Sequence, residues 1–290
     1  MSAPTPAGVS RTYGESLAAE RRTYESCLEV HDLPPIFHYW SRRHLREKFL
    51  PFGFASVADF FKVFLERQCR RGPGGVKRFL SLGSGNCDLE LEIARHLVAS
   101  QCGDFVIECV DLNPSMLLRG RQSAEAAGLQ RYLAFSAQDL NEWHPADGCD
   151  AVMANQSLHH VVNLEGLFSS AKKALAPGGS FVVSDMIGRN GHQRWPQALA
   201  IVEEFWRKLP PSYRFNRKVN AYQETFEDLD CSLEGFEGVR SQDIVPLLMR
   251  EFSFELTHGL LLRTQVYGVN STLPPLCAAF VIASLAWSKP

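Results

Sequence analysis

The chain has 290 residues, of which 45% are hydrophobic and 21% are charged, the ordinary composition of a globular protein. This composition excludes a wholly disordered, collagen-like or coiled-coil chain, and the length fits two domains or one α/β core of about 200 residues with added segments. The formal net charge of −2 provides no broad basic surface for duplex nucleic acid or an anionic membrane. We therefore expect neither nucleic acid nor a membrane as a partner.

The eight cysteines include no C-x-x-C pair and no nearby histidines at the spacing of a zinc site. We expect reduced, mostly buried thiols and no metal site. The first ten residues lack the cationic start and the apolar run of a signal peptide. The longest apolar run, 276–287, is too short to span a membrane. These features predict a soluble, cytoplasmic protein.

The N-terminal part of the chain changes character twice. Residues 1–26 are polar and rich in turn formers, and we expect them to be disordered or irregular. Apolar residues then recur at helical spacing from Ile36 to Arg70, interrupted by Pro51 and Gly53, which predicts two helices within residues 27–75. A glycine-rich linker ends this segment.

Residues 76–187 alternate short apolar runs with helical patterns, which is typical of a parallel α/β sheet. One of the helices has an N-cap, Asn113, followed by Pro114 and a terminating Gly128. Another helix is predicted from Asn163 to Leu175. The predicted strands are Arg78–Leu82, Phe105–Val110, Tyr132–Ala137, Cys149–Ala154 and Ser180–Met186.

Beyond Met186 this alternation stops. Residues 195–208 and 241–250 are predicted to be helical, and 252–256 resemble a strand. The stretch between the two helices mixes aromatic and charged side chains in no clear period.

A glycine turn, LGSGNCD at 82–88, joins the first predicted strand to a helix. Glycines let the backbone approach a ligand, and a helix N-terminus points N–H groups at it, so the turn indicates a nucleotide site. The third glycine of a dinucleotide fingerprint would fall at position 88. Asp88 stands there and would repel a pyrophosphate, which disfavours NAD.

Two further carboxylates end the next strands, Asp111 the second and Asp139 the third. At these positions they are placed to bind two ribose hydroxyls and an adenine amino group. Three carboxylates around one pocket suit a ligand that has a ribose, an ammonium and a sulfonium but no phosphate. S-adenosylmethionine (SAM) has this combination, and we expect it as the cofactor.

With these motifs the segment from Lys77 to Met186 resembles the class I (Rossmann-like) SAM-dependent methyltransferases. The resemblance rests on LGSG at 82–85, VDLNPSM at 110–116, QDL at 138–140, DAVMANQSLHH at 150–160 and LAPGG at 175–179. It implies an α/β fold with a mostly parallel sheet of seven strands, the sixth at 252–256 and the last between 261 and 287. It also implies an N-terminal helical lid, for which a helix docked elsewhere is an equal alternative.

The resemblance divides the chain into five segments and assigns cofactor contacts. The segments are 1–26 (N-terminus), 27–75 (helical lid and linker), 76–187 (SAM-binding core), 188–250 (substrate cap) and 251–290 (completion of the sheet). The implied cofactor-binding residues are Gly83, Ser84 and Gly85 under the methionine part, Asp111 at the ribose, Leu112 and Met116 beside the adenine, Asp139 and Leu140 closing over it, and Asn155 and Gln156 near the methionine end.

Two positions depart from the family pattern. Ser81 stands where an acidic residue is usual, and Cys87 replaces the third glycine of G-x-G-x-G. We expect Asp88 to make the ammonium contact that the missing acid would organise.

Three candidate catalytic residues, His159, His160 and Asp185, follow the fourth strand or end the fifth, at the edge where open α/β sheets bind ligands. A histidine there would take a proton from a hydroxyl or amine acceptor. Methyl transfer from a sulfonium is a direct displacement in which orientation supplies much of the acceleration. Structural roles for these residues are therefore the alternative.

We expect a SAM-dependent methyltransferase that transfers the methyl group to O, N or C of a small molecule. The aromatic residues of the cap weakly favour an apolar or aromatic acceptor, although such residues more often form the core of a cap packed on the sheet, and both can hold at once. The alternatives are a SAM-binding protein without catalysis and a methyltransferase acting on RNA or protein. The N/D/S-P-P-Y/F/W motif of several amino-group methyltransferases is absent at 155–158. The acceptor, the methylated atom and the oligomeric state stay open.

Overall fold

A computed structural model describes residues 12–25, 28, 35–71, 74–146, 148–216, 220–233, 235–263 and 277–286 of the chain. Its main sheet contains the strands β1 (Lys77–Leu82), β2 (Phe105–Asp111), β3 (Leu133–Ala137), β4 (Cys149–Asn155), β5 (Leu175–Ile187), β6 (Ser253–Arg263) and β7 (Cys277–Ala286). Their order across the sheet is β3-β2-β1-β4-β5-β7-β6. Strands β1 to β5 are parallel, and β7 is antiparallel to β5 and β6. This confirms the predicted mostly parallel, Rossmann-like class.

Helices cover both faces of this sheet. In the described residues they are α1 (Tyr13–Glu25), α2 (Pro35–Phe49), α3 (Val57–Cys69), α4 (Asp88–Ala99), α5 (Pro114–Ala126), α6 (Leu164–Ala174), α7 (Pro196–Lys208) and α8 (Ile244–Glu251). None of these helices is both long enough and apolar enough to cross a bilayer.

Alternating side chains of the strands build two apolar cores. Phe79, Ile107 and Met153 pack on one face with α3, α4 and α5. Leu80 and Val152 pack on the other face with α6 and α8. Because successive side chains of a strand point to opposite faces, the short apolar runs in the sequence are buried on both sides.

The connection from β2 to α5 follows the sequence prediction closely. The Asn113 side chain accepts a hydrogen bond from the Ser115 N–H at 3.0 Å, and Pro114 occupies the first turn of the helix. This cap satisfies an N–H that the helix leaves unpaired. It starts α5 directly beside the carboxyl end of β2, at the edge where the predicted ligand site lies.

Strand β5 begins earlier than the predicted Ser180. Cys149 pairs with Leu175, whereas Ala151 already pairs with Ser180, so residues 176–179 form a bulge in the strand. The predicted third helix accordingly ends at Ala174. The glycines that end the helical pattern, Gly178 and Gly179, therefore lie in a bulge of the strand and not in a separate turn.

The prediction of an irregular segment over residues 1–26 is wrong for its second half, because Tyr13–Glu25 is the helix α1. The Thr12 N–H donates to Glu15 Oε2 at 2.7 Å, and the Glu15 N–H lies 3.4 Å from Thr12 Oγ1. This reciprocal pattern is a capping box, which stabilises a helix start. The prediction for residues 1–11 lies outside the described residues.

Of the two helices predicted within 27–75, α3 is docked on the sheet, as in the alternative to a helical lid. Helix α3 packs against the sheet through Phe60, Phe61 and Leu65, which are fully buried. The amphipathic spacing reflects this burial and not a cover over a ligand site. The helix that lies over the carboxyl edge of the sheet is α1, whose Glu20 and Tyr24 line the cavity there.

The predicted cap segment, 188–250, contains α7 and a two-stranded hairpin, Phe215–Asn216 with Ala221–Tyr222. Helix α8, at its end, packs into the sheet core through Ile244 and Leu248. The aromatic side chains mostly contact one another or face solvent. Trp206 packs edge-on against Phe226, and the exposed large side chains include Trp195, Tyr213 and Tyr222.

Candidate functional site

The glycine turn is fixed to the neighbouring strand by its backbone. The Gly83 and Ser84 N–H groups donate to the Val110 carbonyl at 2.8 and 3.1 Å. Gly83 and Gly85 have φ angles of 69° and 54°, which favour glycine. A Cβ atom on Gly83 would lie 2.3 Å from Ser157 Cβ, so the turn after β4 packs directly against the glycine turn. The missing side chain is what brings these two turns together.

Asp111 joins the glycine turn to the start of α5. Its Oδ2 accepts the Gly85 N–H and its Oδ1 accepts the Asn113 N–H, both at 2.8 Å. The residue is 9% exposed and lines the cavity. Burial raises the pKa of Asp111, while the two backbone hydrogen bonds oppose that rise. Each oxygen retains a lone pair for a further donor.

Asp139, after β3, is bound by the N-terminal helix. Its Oδ1 accepts the Asn141 N–H at 2.9 Å, and its Oδ2 accepts the hydroxyl of Tyr13. Burial, the hydrogen bond and the Asp139 charge together raise the pKa of Tyr13, so its hydroxyl keeps its proton. This pair attaches α1 to the edge of the sheet.

A cleft of about 780 Å³ including its open mouth lies above these carboxyl ends. The lining residues are Glu20, Arg21, Tyr24, Gly83, Gly85, Asp111, Leu112, Asn113, Met116, Asp139, Leu140, Asn141, Gln156, Ser157, His160, Val161 and Phe236.

Most of the sequence-predicted cofactor residues meet at this cleft. Gly83, Gly85, Asp111, Leu112, Met116, Asp139, Leu140 and Gln156 line it, as does the predicted catalytic residue His160. Ser84, Asp88, Asn155, His159 and Asp185 are not among the lining residues.

Asp88 is therefore not placed for the predicted ammonium contact. Cys87 before it has a positive φ of 63°, and Asp88 begins α4 with its side chain exposed. A carboxylate in the first turn of a helix interacts favourably with the helix dipole, which accounts for an acidic residue here without a ligand.

The family pattern has an acidic residue at position 81, where this chain has a serine. A buried acid from α4, Glu90, lies beside this serine. Ser81 Oγ donates to Glu90 Oε1, and Glu90 is 2% exposed. Within the described residues, Glu90 Oε2 has no hydrogen-bond partner. Burial raises the pKa of Glu90 to about 7. The family pattern alone does not reveal this exchange, because the replacement lies nine residues further along the chain.

His160 faces the cleft beside two residues of α1. Its Nδ1 lies 2.6 Å from Glu20 Oε1, an ion-pair distance without hydrogen-bond alignment. The Tyr24 ring meets the His160 ring edge-on with centroids 6.0 Å apart. Of the three predicted catalytic residues, His160 is the one that the structure places at the cleft.

Asp185 and His159 form a buried pair behind the cleft. His159 Nδ1 donates to Asp185 Oδ1 at 2.6 Å, and Asp185 Oδ2 accepts the Ser157 and Leu158 N–H groups at 2.9 and 2.7 Å. Burial opposes the charged imidazole, but Asp185 and Glu237 outweigh it and raise the pKa of His159 to about 10. A group that holds its proton so firmly is a poor general base. The pair instead fixes the turn after β4.

Several cleft residues were missed by the sequence reasoning. Glu20 and Tyr24 lie on α1, and the capping box at Thr12 was the signal that could have revealed this helix. Phe236 comes from a loop far from the sheet motifs in sequence, where no pattern points to it.

The buried Glu90 makes stability depend on pH. Since folding raises its pKa from 4.5 to about 7, the folded state favours the protonated acid, and this contribution is lost as the pH rises through about 7. The free energy of unfolding should fall by about 2.5 kcal/mol between pH 5 and pH 8 from this residue. Glu90→Gln should remove that dependence and be more stable than the wild type at pH 8, as measured by urea unfolding.

Glu92→Gln is the matched control, since Glu92 is on the same helix, is half exposed and pairs with Lys62. It should keep the wild-type pH profile to within about 0.5 kcal/mol. Equal losses of stability in the wild type and Glu90→Gln over this pH range would contradict the account.

The comparisons with known proteins agree with the sheet motifs. A family model described as a methyltransferase domain matches residues 75–237. The trans-aconitate 2-methyltransferase of Streptomyces coelicolor is 30% identical over 111 residues, which are 38% of this chain and 35% of that protein. The trans-aconitate 2-methyltransferase of Acidovorax sp. (strain JS42) is 28% identical over 153 residues, 48% of this chain and 58% of that protein. The matches thus span between a third and three fifths of the relatives' length.

A solved structure shares the fold. The N-methyltransferase NodS from Bradyrhizobium japonicum WM9, in complex with S-adenosyl-L-homocysteine, has a TM-score of 0.50 at 10% identity, over 93% of this chain and 98% of that one. At this identity the likeness shows the fold alone. Because the family model matches more than half of the chain, the chain belongs to the methyltransferase-domain family, which confirms the predicted resemblance to class I SAM-dependent methyltransferases.

Proposed function

We propose that the protein binds SAM in the cleft above the glycine turn and transfers its methyl group to a small-molecule acceptor. The observation that carries this proposal is the convergence of Gly83, Gly85 and the half-saturated carboxylate of Asp111 on one cleft. The backbone of the turn leaves room for a ligand, and Asp111 still has lone pairs for two hydroxyls.

The cleft residues fit the parts of SAM. Asp111 would hold the ribose, and the apolar side chains of Leu112, Met116 and Leu140 would flank the adenine. The carboxylate of Glu20 adds negative charge to the wall, which suits a cationic ligand better than a diphosphate.

The Tyr13 hydroxyl already occupies one oxygen of Asp139. We propose that this contact holds α1 over the adenine side of the cleft and opens when the cofactor enters. Further polar contacts hold α1 along its length, such as the Asn113 side-chain amide that donates to the Arg21 carbonyl at 3.1 Å. In the described residues α1 has no buried side chain, which is consistent with such movement.

His160 is the residue that we propose as the proton acceptor. SAM supplies the methyl group by direct displacement at its sulfonium. The chain's contribution is to orient the acceptor, exclude water and remove the proton from its nucleophilic atom. Glu20, 2.6 Å from His160 Nδ1, would fix the ring and stabilise the imidazolium that forms. Asp185 and His159 would act only by positioning this turn.

We propose that Tyr24, Val161 and Phe236 of the cleft lining contact the acceptor. We propose an acceptor with an apolar or ring-containing body and one nucleophilic atom. The two relatives are named for trans-aconitate. Here one arginine, Arg21, faces three carboxylates among the described lining residues, so we expect a tricarboxylate to be a weak acceptor.

Asp111→Asn tests the cofactor site. Replacing the charged acceptor by a neutral amide should weaken SAM binding by about tenfold or more, since hydrogen bonds to charged groups contribute about 1.5–3 kcal/mol. The measurement is isothermal titration with SAM, on protein whose folding is verified by circular dichroism.

Asp88→Asn is the control, because Asp88 is exposed and outside the cleft lining. It should bind SAM within about twofold of the wild type. Unchanged affinity in Asp111→Asn would remove the proposed ribose contact. Loss of affinity in Asp88→Asn would restore the ammonium contact predicted from the sequence.

His160→Gln separates catalysis from binding. The variant should keep its SAM affinity within about threefold while turnover falls about a hundredfold, since general base catalysis contributes at least that much. Turnover is measured as S-adenosylhomocysteine release by mass spectrometry, with trans-aconitate and with fractions of a metabolite extract. The exposed His144 provides the control His144→Gln, which should match the wild type.

Equal turnover in His160→Gln and the wild type would contradict a base at this position. If the wild type binds SAM but no fraction yields S-adenosylhomocysteine, the alternative of a SAM-binding protein without catalysis is favoured. Release that occurs only with added RNA or protein would favour a macromolecular acceptor.

A further inference from the structure

Behind the wall of the cleft, three histidines converge on one carboxylate, Glu237. His192 Nε2 lies 2.6 Å from Glu237 Oε1, and His159 Nε2 lies 3.6 Å from the same oxygen. His160 Nε2 lies 3.5 Å from the other oxygen, Oε2. The proposed methyl transfer uses His160, and His159 positions its turn, so His192 and Glu237 have no assigned task.

The three segments that meet here are distant in sequence. His159 lies in the turn after β4, His192 in the turn after β5, and Glu237 in the loop before α8. Their spacing is unlike any short metal motif, which is why the sequence predicted no metal site. The fold nevertheless brings one nitrogen of each histidine and one carboxylate oxygen to within 4.8 Å of one another.

The turn that carries His192 is built tightly. The Gly191 N–H donates to the Gly238 carbonyl at 2.8 Å, which ties this turn to the residue that follows Glu237. A Cβ atom on Gly191 would lie 1.9 Å from Asp230 Oδ1. His192 itself has a φ of 56°, a left-handed conformation that is strained in a non-glycine residue. Such strain is concentrated at functional sites.

The orientation of His159 also suits a ligand. Its Nδ1–H donates to the fully buried Asp185 at 2.6 Å, which leaves Nε2 directed at Glu237. Histidines that bind metals usually donate their other N–H to a carboxylate or carbonyl, which fixes the tautomer and the ring. Asp185 would be this second partner, and its other oxygen, Oδ2, accepts two N–H groups of the turn after β4.

We propose that His159 Nε2, His192 Nε2 and Glu237 Oε1 bind one divalent transition-metal ion of the Zn²⁺ or Fe²⁺ type. Two imidazole nitrogens and a carboxylate oxygen are the donor set that such ions prefer. Metal–ligand bonds of about 2.0–2.2 Å place two ligand atoms of a tetrahedral site about 3.4 Å apart. The present separations reach this value through small side-chain rotations. His159 would keep its Nδ1 proton on Asp185, while the Nε2 protons of His159 and His192 that face Glu237 would both pass to solvent on binding.

The ion would lie next to the cleft but behind its lining. The His159 and His160 rings are 4.2 Å apart between centroids, and His160 lines the cleft. His160 Nε2 is thus the nearest further donor, and an open coordination position would face that side. Metal binding by these residues does not depend on SAM binding or on methyl transfer, so the two proposals can fail separately.

Metal binding is measured on the full chain after removal of metals with a chelator. Zn²⁺ and Co²⁺ are titrated in competition with a chromogenic chelator, and the visible absorption of bound Co²⁺ reports its coordination. We expect one ion per chain for the wild type. His192→Gln and Glu237→Gln, which keep polar side chains of similar size, should bind about a hundredfold more weakly.

His144→Gln is the matched control, because His144 is exposed and lies outside the cluster. It should bind one ion like the wild type, and circular dichroism verifies that every variant is folded. Should His192→Gln or Glu237→Gln fail to fold, Asp185→Asn provides a further readout, with binding about 10–100 times weaker.

The proposal is overturned if the wild type binds neither ion at micromolar concentrations, or if binding is unaffected by the His192 and Glu237 substitutions. In the first case the cluster is a network of hydrogen bonds and close polar contacts between the histidines and Glu237. In the second case the ion binds elsewhere.

Discussion

The arrangement of the cleft depends on the carboxylate of Asp111, which bridges two backbone segments. It accepts the Gly85 N–H from the glycine turn and the Asn113 N–H from the start of α5, each at 2.8 Å. A buried carboxylate is stable only when such donors compensate for its lost hydration. The same residue therefore holds the turn open and presents a negative charge to the ligand. The bridge also fixes the glycine turn against the start of α5, and both segments contribute residues to the cleft.

One half of the site, formed by the glycine turn and the ends of β2 and β3, could largely be predicted from the sequence, because local chemistry determines it. The order of strand, glycine turn and helix needs positive φ angles at Gly83 and Gly85, and Asn113 with Pro114 starts a helix by short-range hydrogen bonding. Because the carboxyl ends of parallel strands lie at one edge of the sheet, the sequence alone predicts that Asp111 and Asp139 lie close together.

The other half of the site could not be predicted, since it depends on contacts between segments far apart in the sequence. Glu20 meets His160, and Glu237 meets both His159 and His192, across loops whose paths no periodicity describes. Asp88 was predicted at the cleft from its position beside the turn, but the conformation of Cys87 directs it outward. Glu90 was not predicted, because its burial follows from its contact with Ser81, which stands where an acidic residue is usual.

Helix α1 connects the two halves. Its Tyr13 binds Asp139 on the adenine side, whereas Glu20 lies beside His160 on the side where we place the acceptor. Tyr24 also reaches Glu237, with 3.4 Å between its hydroxyl and Oε2. Helix α1 is thus held by polar contacts at both ends, and in the described residues it has no buried side chain.

The most direct test of the central claim, that the cleft is built for a cationic adenosyl ligand and not for a diphosphate, is a pair of calorimetric titrations of the wild-type protein. One uses SAM and the other uses NAD, in the same buffer and up to millimolar concentration. The account predicts saturable binding of one SAM per chain and no detectable heat from NAD. Saturable NAD binding, or no binding of SAM at millimolar concentration, would contradict it.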